Sequence, residues 1–135
     1  MCQLVETIKY KDGKLENLRF HQARFDVSRK QLFGIDQIIP LLEIIKIPSK
    51  FRKGLFRCRI IYSSEIEKIE FHPHEYRKVE SLKMVEDNTI DYRLKFTDRK
   101  KLSELFEKRA DCDDIIIVKK GCITDSYVAN IVFYD

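Results

Sequence analysis

The chain has 135 residues, enough to bury one core or one and a half. Its net charge of +4 comes from 26 Lys and Arg interleaved with 22 Asp and Glu, so most of it is solvated surface. The small basic excess suits a phosphate or carboxylate ligand; nucleic acid is not expected without basic stretches interleaved with aromatics, nor is a membrane partner without a spanning apolar run.

The N-terminal Met1-Cys2-Gln3-Leu4-Val5-Glu6 lacks a basic region followed by an apolar run, so no secretory leader is expected. Leu4, Glu6, Ile8 and Tyr10 then alternate with Val5, Thr7 and Lys9, Asp12-Gly13 is a tight-turn signal, and Leu15–Phe20 resumes a strand, which together predict an opening β-hairpin. His21–Phe33 has helical composition, with Gly34 as its stop. Asp36 can cap a second helix carrying Ile38, Ile39, Leu41, Leu42, Ile44 and Ile45, with Pro40 early in it and Pro48 ending it. Leu55–Tyr62 and Ile66–Phe71 read as strands, and Ser81–Val85 as a short one.

The polar stretch Glu86–Asp91 is the best boundary, giving domains over 1–86 and 92–135. Beyond it, Thr97 or Asp98 can cap a helix through Arg109, striped by Leu102, Leu105 and Phe106. Ile115–Val118 is a buried-type strand, Lys119-Lys120-Gly121 turns the chain, and Cys122–Thr124 and Asn130–Tyr134 read as further strand pieces. Strands and helices in blocks predict an α+β layer structure.

The residues with chemical potential are few. Lys95 lies between Leu94 and Phe96, a context that can bury its stem, depress its pKa and leave the neutral amine that attacks an aldehyde. Asp125 can cap a turn or hold a protonated ring nitrogen, and Asn130 can also cap a turn. Arg24 reads on composition as a helix-surface arginine. Arg57 and Arg59 share one face of a strand, which is costly unless an anion lies near them. His72-Pro73-His74 lacks a third ligand, and Cys2, Cys58, Cys112 and Cys122 lack metal-site spacing, so neither a metal nor a disulfide framework is expected and a reducing cytoplasm is the expected compartment.

Five segments in order resemble the class IV aminotransferases, the fold type IV pyridoxal-phosphate enzymes, which include branched-chain and D-amino acid aminotransferases and aminodeoxychorismate lyase. Leu4-Val5-Glu6-Thr7-Ile8 with Asp12-Gly13 is similar to the family's opening hairpin, and Phe20-His21-Gln22-Ala23-Arg24-Phe25 to its H-x-x-R helix start. Arg57-Cys58-Arg59-Ile60-Ile61-Tyr62 resembles the small-domain strand, and Leu94-Lys95-Phe96-Thr97-Asp98-Arg99 the lysine segment of the lyase-type members. Asp113 through Phe133 resembles the strand pair that carries a glutamate and an asparagine, at Asp125 and Asn130 here.

The resemblance implies an α+β fold, with a small N-terminal α+β domain followed by the first part of a larger β-barrel-type domain, the cofactor lying between them. It implies pyridoxal 5'-phosphate as cofactor, with Lys95 as catalytic Schiff-base lysine and Arg24 on the phosphate. Asp125 would stand at the ring nitrogen, with Ser126 and Asn130 completing the cofactor set, and Arg59, then Arg57, would meet a substrate carboxylate. The implied reaction is a lyase step releasing pyruvate and 4-aminobenzoate, a folate precursor, or else transamination of an amino acid, in a cytoplasmic homodimer acting on a small amino-carboxylate.

The sequence departs from the family pattern in two ways. Asp125 has a shorter arm than the family's glutamate, so it must approach the ring more closely. Family members also continue past the asparagine segment with phosphate-cradling loops, so a piece of a longer protein or a shortened relative is expected. The alternatives are a non-catalytic interaction module that uses an open strand edge, and an anion-binding or nucleic-acid-binding domain that uses Arg57 and Arg59.

Overall fold

A computed structural model describes residues 2–134; Met1 and Asp135, the outer ends of the two expected domains, lie outside the described residues. The chain is α+β and divides into two compact units, residues 1–76 with 94–97, and residues 77–93 with 98–135.

The first unit is built on an antiparallel sheet of order β2-β1-β3-β4, with β1 Leu4–Lys11, β2 Lys14–Leu15, β3 Leu55–Tyr62 and β4 Ile66–Pro73. Asp12 and Gly13 both take positive φ, the tight hairpin turn that an Asp-Gly pair favours. The expected Leu15–Phe20 strand is not formed. Asn17 enters the left-handed region and helix α1 begins at Leu18, running to Phe33, so only Lys14–Leu15 pairs with β1. Gly34 ends α1 at φ 69°, its N–H donating to the Lys30 carbonyl at 3.0 Å while Ile35 N–H donates to that of Arg29 at 3.4 Å.

The expected second helix shrinks to one turn, α2 Leu41–Ile44. Asp36 pairs with Lys30 at 2.8 Å instead of capping it. The Gln22 amide satisfies the backbone on both sides of Pro40: its Nε2 donates to the Ile39 carbonyl at 3.0 Å and its Oε1 accepts from Leu41 N at 2.8 Å. An extended entry is therefore stabilised at the expense of helix.

Strand alternation places Leu4, Ile8, Tyr10, Cys58, Ile60 and Tyr62 in the interior, where Leu4, Ile8, Cys58, Ile60 and Tyr62 pack with Phe25 of α1 and Leu41 of α2. Each such large side chain removed from water contributes about 1.5–3 kcal/mol. The opposite face carries Lys9, Arg57, Arg59, Lys68, Glu70 and His72. The sheet is completed by a return of the chain. Leu4 bridges Phe96, Val5 N donates to the Lys95 carbonyl at 2.9 Å and Thr97 N to the Gln3 carbonyl at 2.9 Å.

The second unit has a sheet of order β5-β6-β7, with β5 Leu82–Glu86 parallel to β6 Asp114–Lys119 and β7 Cys122–Ser126 antiparallel to it. Helix α3, Lys100–Phe106, followed by a 3-10 turn Glu107–Arg109, covers one face through Leu102 and Leu105, which pack with Val85, Ile90, Ile115 and Ile117. Asn130–Tyr134 was expected as a strand, and these described residues form none. The Ser126 hydroxyl donates to the Ala129 carbonyl at 2.6 Å and accepts from Ala129 N at 2.9 Å, a turn that diverts the chain from the ladder. No helix among the described residues is long and apolar enough to cross a membrane.

Candidate functional site

In the first unit, three of the expected site residues are anchored to consecutive positions of β1. Glu6 is the one charged residue on the inward face of that strand and is fully buried. His21 and Arg24, three apart on α1, both reach it, and this explains the H-x-x-R spacing as one helix face aimed at one carboxylate. Arg24 Nε donates to Oε1 at 2.7 Å and Nη2 to Oε2 at 2.5 Å, while His21 Nδ1 lies 2.7 Å from Oε2. Burial alone would raise the Glu6 carboxyl; the hydrogen bonds from His21 and Arg24 outweigh it and hold it below the usual carboxylate range. Tyr62, packed on Phe25 in the same interior, is pushed up to about 12 by burial and by the Glu6 charge.

Beside Glu6, Thr7 faces Arg59 across the ladder on the outward face. Arg59 meets Glu70 of β4 at 3.4 Å, and Lys68 and His72 hold Glu70 below the usual carboxylate range. The anion demanded by two arginines on one strand face is thus supplied by a cross-strand carboxylate. Arg57 is exposed, in register with Lys9 and His72.

On the other side of Glu6, Val5 holds the Lys95 carbonyl. Leu94 and Phe96 pack into the core of this unit, and Lys95 between them is half-buried. Main-chain pairing therefore fixes the lysine Cα, a firmer seat than the loop before a helix that the sequence suggests.

In the second unit, Asp125 lines a cavity of about 430 Å³ with Ile90, Tyr92, Leu102, Ile117 and Thr124. Thr124 and Asp125 are consecutive, and a regular strand would turn them to opposite faces. The pairing steps from Ile117↔Asp125 to Val118↔Ile123, which leaves Thr124 as the extra residue of a β-bulge. The Thr124 hydroxyl fastens the bulge by donating to the Ile117 carbonyl at 3.2 Å. Asp125 thereby shares a row with Val85 and Ile117 under α3, and its Oδ1 accepts the Ser126 N–H at 2.9 Å. The cations at this cavity are engaged locally. Arg93 pulls the Asp91 carboxyl down to about 2, and Lys119 Nζ donates to the Ile90 carbonyl. Ser126 is buried and committed to its turn, and Asn130 is exposed.

Sequence reasoning left Glu6, His21 and Tyr92 without a role. Glu6 did carry a signal, a lone charge in the apolar register of β1. Tyr92 carried none, because the cavity it lines joins segments distant in sequence. Among the described residues no group of three His, Cys, Asp or Glu could hold a metal ion.

No family model matches the chain. An uncharacterised protein of Haemophilus influenzae Rd is 33% identical over 135 residues, covering 98% of this chain and 72% of its own. A crystal structure from Haemophilus somnus 129PT, of a protein named as a candidate 4-amino-4-deoxychorismate lyase, is 32% identical with a TM-score of 0.84, covering 95% of this chain and 69% of that one. The chain belongs to the family of these two Haemophilus proteins. Its fold is class IV-like, an α+β part of fold type IV. A candidate amino-acid aminotransferase from Mesorhizobium loti, 16% identical with a TM-score of 0.74 over 95% of this chain and 68% of that one, shares the fold.

Proposed function

We propose that the protein is a pyridoxal-phosphate-dependent lyase that releases pyruvate and 4-aminobenzoate from an amino-substituted carboxylate, acting as a cytoplasmic homodimer. The observation that carries this reading is the likeness to the Haemophilus somnus protein, 32% identical over 95% of this chain, joined to a half-buried lysine and a cavity-lining carboxylate at the positions the family motifs require.

The residues fit such a cofactor in kind. A planar ring suits a cavity walled by Tyr92, Leu102 and Ile117, and a carboxylate set among those walls favours a proton on a nearby ring nitrogen. Arg24 fits less simply, because its Nε and Nη2 already bond Glu6, so a phosphate would share that guanidinium with a buried carboxylate.

When bound, pyridoxal phosphate supplies an aldehyde carbon that captures amines and a protonated ring that accepts electrons. Lys95 would hold the cofactor through Nζ, and the same atom would carry the substrate α-proton. Asp125 would keep the proton on the ring nitrogen through its carboxylate. Arg59 would orient a substrate carboxylate while sharing its guanidinium with Glu70, with Arg57 beside it.

The test is to incubate the protein with pyridoxal phosphate, reduce with borohydride and map the adduct. We expect a yellow protein, a single adduct on Lys95, loss of that adduct in Lys95→Ala, and release of pyruvate with 4-aminobenzoate. Colourless protein with no adduct at saturating cofactor rejects the reading. One observation favours the interaction-module alternative. Leu82, Met84 and Ile123, at 47%, 69% and 42% exposure, leave apolar surface on the second unit.

A further inference from the structure

Asp125 carries the shortest carboxylate a protein offers, so its reach depends on where the main chain stands. The bulge at Thr124 fixes that chain on one side. On the other side lies Tyr127, which is held by three side chains spaced along one face of α3 and its entry: Arg99, Ser103 and Phe106.

The Arg99 guanidinium donates through Nη2 to the Tyr127 carbonyl and lies over the Tyr127 ring, 5.0 Å from its centroid. The Tyr127 and Phe106 rings stack with centroids 4.2 Å apart and 19° between planes. Ser103 Oγ stands 3.4 Å from the Tyr127 hydroxyl. Arg109 closes the stack, 4.1 Å from the Phe106 centroid. A planar donor that hydrogen-bonds a carbonyl and also stacks on the ring of the same residue restrains both position and tilt, which a lysine could not do.

We infer that Arg99 is a positioning residue that, through Tyr127, sets the main chain carrying Asp125 and so the direction of its carboxylate. This rests on the reading of Asp125 as the carboxylate at the cofactor's ring nitrogen. It also gives a physical reason for an arginine at the end of the Lys95 motif. That arginine opens the helix whose face grips the chain two residues beyond Asp125.

Two measurements on the full chain test this. In cofactor-free protein, Arg99→Gln should raise amide exchange at Asp125, Ser126 and Tyr127 roughly tenfold while leaving the centre of β6 unchanged. With ¹⁵N-labelled pyridoxal phosphate, Arg99→Gln should move the ring-nitrogen signal toward its unprotonated position and weaken binding roughly tenfold. Arg99→Lys should restore little of either. In the Asp125→Asn background Arg99→Gln should add almost nothing, whereas Asp125→Glu, with its longer arm, should recover part of the loss.

Unchanged exchange at those amides overturns the inference, and so does an Arg99→Gln effect that adds in full to Asp125→Asn. Wild-type protein that takes up no cofactor rejects the proposed function instead, and the exchange measurement then still decides whether Arg99 holds this chain.

Discussion

The two units solve the same packing problem differently. In the first, one sheet face is sealed by α1 and α2, and the other is mostly polar, carrying Lys9, Arg57, Arg59, Lys68, Glu70 and His72 beside the two apolar residues Val5 and Ile61. In the second, α3 seals one face, while the other presents Leu82, Met84 and Ile123. Strict alternation of apolar and polar residues marks a sheet that solvent completes; apolar residues in both registers mark one that solvent does not. The first unit can therefore afford a buried charge cluster, because its apolar interior is closed around Glu6.

The comparison can be broken in graded steps. Phe25→Ala should cost the first unit about 3–5 kcal/mol, read as loss of amide protection in β1 and β3; unchanged protection there would refute the packing of Phe25 in that core. Ile117→Ala should cost about 2–4 kcal/mol and strip protection from β5, β6 and β7.

Acid should remove the Glu6 contribution from the first unit. The folded-state pKa of Glu6 lies below its unfolded value, so its contribution is fully present above the unfolded carboxylate pKa and is lost as pH falls through the folded one. Glu6→Gln should cost about 2 kcal/mol at neutral pH and flatten that acid slope, measured by urea titration across pH. The smallest effect is on the open face of the second unit. Met84→Lys, 69% exposed, should change stability by less than about 0.5 kcal/mol while lowering self-association in sedimentation runs.

Much of the fold was legible. The β3 strand spans Leu55–Tyr62 as its pattern predicts, and Gly34 stops α1 where expected. The losses share a cause. The second helix failed because the Gln22 amide, from a different element, satisfied backbone that would otherwise have coiled. The bulge at Thr124 depends on register with β6, which local pattern does not encode. The pairing of Leu94–Thr97 with β1 includes a hydrogen bond between residues 94 positions apart. The identities of Lys95 and Asp125 could be read, but their seats were set by such long-range bonds.

That return of the chain bears on how the protein emerges from the ribosome. The margin of the first strand near Leu4 receives its last neighbour only when residues 94–97 have been made, after an excursion through 77–93 that belongs to the other unit. At translation speeds the nascent molecule carries that vacant margin for a time on the order of seconds. During that interval it offers a template for pairing with a stranger. The segment that ends the exposure is the one bearing Lys95.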